Sequence, residues 1–401
     1  MDEINLNKKE ILNIILNAKN TDYLTHNMHP YPAKFIPQIP NTMIKLFTNP
    51  GDIILDPYCG SGTSLVEAKI LGRNAIGIDL HPIAVLMSRV KTTKIDEREL
   101  NKIPALLSHI EKRIDKFYNL YLKRTNLSKF IKKLMKSENE ISFEIPKFPN
   151  IDHWFQKHVQ YELTIIRDSI IKSEVSNELK DFLLLAFSSI IVPVSNQESE
   201  TRYAAKNKTI EFKRSFKLFK EKLEHMIDRL KQFNKIASDC DVRVIQEDAR
   251  FLDFIKENSI DFIITSPPYP NTYDYYLYHK FRIYWLGYDL EKVRNNEIGS
   301  RNKHSSKKEG IDSYINDMIR CFKHFHRVLK PNKYFVIVVG DSIIDGELCK
   351  GDEIIKIIAE KTGFKFLDKI DYNLGFASKS FNPTFRNKKK EEYIIFLKNV
   401  K

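Results

Sequence analysis

Cysteine is scarce and scattered: Cys59, Cys240, Cys321 and Cys349 form no CxxC pair. That spacing excludes a zinc ribbon and a disulfide framework, and it suits a reducing compartment. No stretch approaches the ~18 consecutive apolar residues of a membrane-spanning helix. The polar start MDEINLNKKE lacks the apolar run of a secretory signal. The expectation is a cytoplasmic protein with no membrane partner. Glycine is absent between Glu97 and Phe233, and that stretch reads as helices rather than as sheet and tight turns. No internal repeat divides the chain.

What is present is a globular composition with a basic excess. Hydrophobic residues make up 42% of the 401-residue chain and aromatics 11%, enough for a buried core, which excludes a disordered chain. Lys and Arg number 65 against 52 Asp and Glu, a formal charge of +13. Such an excess suits a polyanionic partner. Richness in Lys, Asn and Ile is also what an A/T-rich gene produces, so charge alone leaves both readings standing.

The run Gly51-Asp52-Ile53-Ile54-Leu55-Asp56-Pro57-Tyr58-Cys59-Gly60-Ser61-Gly62-Thr63 reads as a buried strand, a tight loop of small residues and the start of a helix ending near Leu71. Gly60 and Gly62 permit positive φ and let a ligand approach the backbone. The loop feeds a helix N-terminus, whose free N–H groups favour a carboxylate or phosphate. The Gly-Lys-Ser/Thr ending of a P-loop is missing, and so is the full GxGxxG spacing. A second strand over 74–79 ends in Asp79, where an acid typically takes ribose hydroxyls. Strand, loop, helix, strand and acid together make a nucleoside-binding unit; a glycine-rich turn in another kind of α/β domain is the alternative. Upstream, His29-Pro30-Tyr31-Pro32-Ala33-Lys34-Phe35-Ile36-Pro37 is stiff and extended as far as a helix over 42–47. It can bring one cation, Lys34, and two rings, Tyr31 and Phe35, to a ligand's edge.

A second stretch, Asp261-Phe262-Ile263-Ile264-Thr265-Ser266-Pro267-Pro268-Tyr269, climbs out of a core and stops at two prolines. Two consecutive prolines cannot continue a ladder, and each pushes the residue before it away from the helical region, so the corner is extended and rigid. It leaves the carbonyls of Ser266 and Pro267 without sheet partners, beside the ring of Tyr269. This is the carboxyl end of a strand, where ligands sit in open α/β sheets. Taken alone, the same letters describe an apolar strand ending in a proline turn. A strand over 242–248 ends in the acids Glu247 and Asp248, and strands over 334–339, 366–372 and 392–397 close the pattern around helices near 311–329 and 352–362. The expected fold class is α/β: a doubly wound, seven-stranded, Rossmann-like sheet with a large helical insertion.

That insertion spans 96–235, between an α/β domain made of 29–95 and 236–401; residues 1–28 read as an N-terminal arm. Leu100, Ile103, Ile110, Ile114 and Phe117 recur at helical steps, two further helices fall near 156–174 and 177–191, and 195–199 reads as a loop. Arg202, Tyr203, Lys206, Lys213 and Arg214, with Arg301 and Lys303 in a basic loop over 299–310, are candidate phosphate and base contacts. A solvated helix face is the equal alternative.

The loop 56–63 and the tetrapeptide 266–269 together resemble those of the S-adenosylmethionine-dependent DNA amino-methyltransferases, most closely the cytosine-N4-specific kind, over 29–95 and 236–400. The Ser-first tetrapeptide is the form associated with cytosine N4; adenine-N6 enzymes more often carry Asp or Asn first. Tyr58 stands where Phe is commoner. The resemblance implies a methyltransferase fold and S-adenosylmethionine as cofactor, held by Tyr31, Lys34, Phe35, Asp56, Tyr58, Gly60, Gly62, Thr63, Asp79 and Asp248, with no metal. Asp79 would take the ribose and Asp248 the adenine amino group. Ser266, Pro267, Pro268 and Tyr269 would act on a base flipped out of double-stranded DNA, with Tyr273 or Tyr276 beside it. The insertion would be the target-recognition region and a cognate restriction endonuclease the partner, with oligomeric state left open. Adenine-N6 methylation of DNA is the near alternative, and RNA guanine-N2 methylation a further one. A cytosine-C5 enzyme needs a nucleophilic cysteine, usually after proline, and none of the four follows one. His81, Asp274 and His279 read as packing or solvent residues.

Overall fold

The structure, a computed structural model, describes residues 7–121, 144–200, 202–302, 304, 310–344, 346–372 and 391–401. Seven strands form one sheet: β1 Ile53–Asp56, β2 Asn74–Asp79, β3 Val242–Gln246, β4 Ile260–Thr265, β5 Leu329–Gly340, β6 Phe364–Tyr372 and β7 Glu392–Asn399. Their spatial order is β3-β2-β1-β4-β5-β7-β6. The first five run parallel, and β7 lies antiparallel to both of its neighbours. The order reverses between β1 and β4, which makes their carboxyl ends the crevice of a doubly wound sheet.

Alternation along the strands builds two cores. Ile54, Phe262, Ile264, Val336 and Phe396 point to one face, covered by α1 Lys8–Leu16, α2 Gln38–Phe47 and α3 Thr63–Ile70. Leu55, Ile263, Phe335, Ile337 and Ile395 point to the other, under α10 Ile311–Val328 and α11 Gly351–Thr362. Because both faces are covered, β4 is buried at every position. A third core lies off the sheet. Ile83, Leu86, Met87 and Val90 of α4 Pro82–Thr92 pack against α5 Ile103–Tyr121, α6 Lys157–Lys172, α7 Asn177–Ile190, α8 Arg214–Ile236 and α9 Lys280–Leu286. The insertion therefore shares its core with α4 and α9 of the α/β domain and is not a free-standing lobe. No helix among the described residues is long and apolar enough to cross a membrane.

Several boundaries differ from the sequence expectation. Helix α2 begins at Gln38 rather than near residue 42 and takes Pro40 into its first turn, where a missing N–H costs no helical bond. Strand β5 begins at Leu329, ahead of Tyr334, and its register shifts across Pro331 and the left-handed Asn332. The stretch expected as a loop over 195–199 is partly strand: Gln197–Ser199 pairs with Arg202–Ala205 in a hairpin. Helix α1 of the N-terminal arm packs on the α/β body, with Ile11 and Ile15 in the sheet core and Lys8 paired to Asp368 at 2.5 Å.

Candidate functional site

The carboxyl ends of β1, β2, β3 and β4 open into one cleft of about 860 Å³, counting its open mouth. The loop after β1 is set by backbone geometry. Gly60 has φ +49°, and its N–H donates to Asp79 Oδ2 at 2.8 Å while Ser88 Oγ of α4 donates to its carbonyl at 2.9 Å. A Cβ there would stand 3.2 Å from the Tyr31 ring, so glycine keeps this wall open. Gly62 has a different task from the one expected. It does not line the cleft; a Cβ on it would stand 2.9 Å from the Ser88 Cα, so its lack of a side chain lets α3 and α4 approach. Thr63, at the start of α3, and Tyr58 line the cleft, and the Tyr58 hydroxyl reaches Met318 Sδ at 3.5 Å.

The acids divide by role. The sequence places Asp56 against the cofactor, but it is 1% exposed and lies behind the loop. It accepts from Ser64 Oγ and Thr265 Oγ1, both at 2.6 Å, and so ties the loop to β4. Burial pushes its carboxyl up to about 6 against those donors. Asp79 lines the cleft at the tip of β2; besides Gly60, the His81 N–H donates to it at 2.8 Å, and burial raises it to about 6. Asp248 also lines the cleft, and its carboxylate is gripped by Arg250, with Nη2 at 2.6 Å and Nε at 3.0 Å. Arg250 is oriented in turn by Asp317 at 2.8 Å and the Asn296 carbonyl at 2.9 Å. The sequence reading missed Arg250 and a further cleft acid, Glu297; nothing in local spacing marks either.

The proline corner after β4 faces the same cleft through Ser266 and Pro268. Pro267 is buried. The Tyr269 hydroxyl lies 3.5 Å from Ser266 Oγ, and its ring packs where a Cβ on Gly340, at the end of β5, would come within 3.1 Å. Burial, with Glu392 nearby, holds the Tyr269 hydroxyl well above the usual phenol range, so it stays protonated. Tyr273 neighbours Tyr269, whereas Tyr276 is 8% exposed and turns into the helical core with Arg294 over its ring. Tyr276 is thus a packing residue rather than a base contact.

The proline-rich segment closes the cleft's other side with Tyr31, Ala33, Lys34 and Phe35. Tyr31 is held between the rings of Tyr275 and His279, with centroids at 5.6 and 5.4 Å. Lys34 lines the cleft, but its Nζ donates to the His26 carbonyl at 3.2 Å and pairs with Asp22 at 3.4 Å, so its charge already has partners. His81 caps α4 by accepting from Ile83 N, and also lines the cleft; His279 is buried packing, as expected.

The insertion's cations are more occupied than expected. Tyr203 is half-buried in an aromatic cluster with Trp154 and Phe281, under the Lys280 ammonium. Lys213 immediately precedes α8 and pairs with Asp115 at 2.6 Å, and Arg202 pairs with Glu198 at 3.0 Å. Lys206 and Arg301 are exposed and Arg214 is half-buried; Lys303 lies outside the described residues. No cluster of metal-binding side chains occurs among the described residues.

A family profile described as DNA methylase (N6_N4_Mtase) matches residues 4–89 and 260–401, skipping the insertion. The chain is 27% identical to the Type II methyltransferase M.MjaII of Methanocaldococcus jannaschii, across 87% of this chain and 76% of that protein. It is 26% identical to the Type II methyltransferase M.MvaI of Kocuria varians, across 85% and 82%. Among solved structures, a Thermus thermophilus protein in complex with S-adenosyl-L-methionine is 21% identical, with 38% of this chain aligned and a TM-score of 0.24. The chain spans about half of that protein, 51%.

Proposed function

Because the chain belongs to the DNA methylase family, we propose that it transfers a methyl group from S-adenosylmethionine to the exocyclic N4 amine of a cytosine flipped out of double-stranded DNA. The observation that carries this reading is the Ser266-Pro267-Pro268-Tyr269 corner, whose Ser266 and Pro268 open into the same cleft as Asp79, Asp248 and Gly60. The cleft suits the cofactor: it offers an open glycine wall, an acid at the β2 tip and no requirement for a phosphate-binding lysine. Tyr31, Phe35, Tyr58, Gly60, Asp79 and Asp248 would hold it. When bound, S-adenosylmethionine supplies a methyl group made electrophilic by its sulfonium.

The chain's own residues act on the base. The amine's lone pair is delocalised into the ring, so the amine is a weak nucleophile. Acceptors at Ser266 and the Pro267 carbonyl accept hydrogen bonds from its two N–H groups and favour a pyramidal nitrogen; the one proton lost as the methyl group arrives passes to solvent. Unstacking a base costs a few kcal/mol, and stacking on Tyr269 offsets about 1–3 kcal/mol of that. Cys59 lines the cleft, yet burial and the carboxyls of Asp79 and Asp56 push its thiol well up, which disfavours a covalent cysteine route. A restriction endonuclease that shares the recognition sequence is the biological counterpart we assign.

Methylome sequencing of a host expressing the protein tests the proposal. It predicts new N4-methylcytosine at one short motif. N6-methyladenine at the motif would move the assignment to the adenine reading, and an unchanged methylome with folded protein present would overturn both.

A further inference from the structure

One acid in the cleft is used neither by the loop nor by the proline corner. Glu297 follows the short helix Leu290–Asn296 and is 7% exposed. Its Oε1 accepts from the Tyr275 N–H at 2.8 Å. Its Oε2 is buried without a hydrogen-bond partner among the described residues, although the residue lines the cleft. A buried polar oxygen left unpaired is costly and calls for a ligand donor or acceptor.

The surroundings of Glu297 narrow that ligand's chemistry. Asp274, and more weakly Asp79, lie close enough for their charges to raise the proton affinity of Glu297. Burial is the largest influence and, against the backbone N–H groups of Tyr275 and Tyr276, lifts Glu297 to about 8. Two acids sharing one half of a cleft are therefore a neutral acid and a carboxylate, not two anions. Such a pair matches vicinal hydroxyls, each of which can donate and accept, better than it matches a cation. Asp79 already accepts from two backbone N–H groups at 2.8 Å. The unused oxygen in this half of the cleft belongs to Glu297.

We propose that Glu297 is a second ribose ligand, sharing the two hydroxyls of the cofactor's ribose with Asp79. The inference rests on the cofactor reading above, and it adds a contact that sequence motifs do not mark.

Calorimetric titration of the full chain tests it, with S-adenosylhomocysteine and its 2′-deoxy and 3′-deoxy analogues as probes. Glu297→Ala is expected to weaken S-adenosylhomocysteine by about tenfold or more. It should change by less than about twofold the affinity for the one analogue that lacks the hydroxyl Glu297 holds, because coupled deletions are not additive. Glu297→Gln, which keeps the size and an acceptor, should show the same ligand dependence with a smaller loss, and it serves if the alanine variant shows no melting transition. Equal weakening of all three ligands, or no weakening of any, overturns the inference while leaving the cofactor reading intact. Failure of the unmodified protein to bind S-adenosylhomocysteine overturns both.

Discussion

The strand-tip cleft and the helical insertion are built by opposite means. Around the cleft, the acids after β1 and β2 hang from strand ends whose level the sheet register sets: Asp56 lies opposite Gly77, and Asp79 opposite Gln246. Backbone N–H groups orient Asp79, hydroxyls orient Asp56, and the Arg250 guanidinium orients Asp248. In the insertion, side chains hold the helices. Buried Glu162 of α6 accepts from the Lys213 and Ser215 N–H groups and so caps α8. Arg282 of α9, fully buried, donates to the Ser188 carbonyl at 3.0 Å and to both oxygens of Glu200. A few letters therefore specify the cleft, while the insertion's outer chemistry depends on which cations its packing leaves free.

Substitutions can break or sharpen that contrast. Ser266→Ala or Tyr269→Ala should abolish measurable methyl transfer while leaving cofactor affinity within about twofold, as read by transfer and titration assays, since truncating a group aimed at the reacting atoms costs about 10²–10³ or more. Full activity of Tyr269→Ala would remove the corner from the mechanism. Glu200→Ala strands the Arg282 charge in the core and should cost about 3–5 kcal/mol in urea unfolding. Because His279, which meets Arg282 Nη1 at 3.2 Å, also stacks on Tyr31, the loss should appear in a single transition shared by cleft and insertion. Two separated transitions would show that the regions unfold independently. Asp79→Ala should weaken cofactor binding about tenfold without altering DNA affinity.

Proton linkage gives a smaller effect. The folded-state value of Glu297, about 8, lies above its ordinary 4.5. The folded protein thus holds this proton more tightly, and the stability it confers is present at low pH and lost as pH rises through about 8. Asp56 and Asp79 act in the same direction nearer 6. The unfolding free energy of Glu297→Gln relative to the unmodified protein should rise between pH 6 and 8, by at most about 1.4 kcal/mol per pH unit; a flat difference would remove Glu297 from the linkage. Smallest of all, Lys206→Ala should weaken DNA binding only a few-fold and lower the salt slope by about 1. An unchanged slope would place Lys206 off the DNA.

Much of the cleft was legible because its residues punctuate strands. The ends of β1, β2 and β4 are marked by an acid before a glycine loop, an acid after an alternating run, and a serine before two prolines. The seven-stranded sheet followed from the same apolar runs. Roles behind the surface were less legible. Asp56 reads as a ligand because it ends a strand, yet Thr265 and Ser64 turn it inward, and only the tertiary structure brings those hydroxyls together. Gly62 reads as a ligand wall because it repeats Gly60, while its φ of +80° and the nearness of Ser88 make it a helix contact. Glu297 sits 218 positions beyond Asp79 in the chain, in a stretch with no periodicity, so no local pattern marks it. Tyr203 reads as a free ring among cations, whereas the hairpin that carries it folds it against Trp154.

The central claim is that the cleft delivers a methyl group to the amine held at Ser266-Pro267-Pro268-Tyr269. Incubating the purified protein with duplex DNA and a deuterated-methyl donor, then digesting the DNA to nucleosides for mass spectrometry, tests it most directly. The account predicts label in N4-methylcytosine, and none after Ser266→Ala. Label in 5-methylcytosine, or no label in DNA from protein that binds the donor, would contradict it.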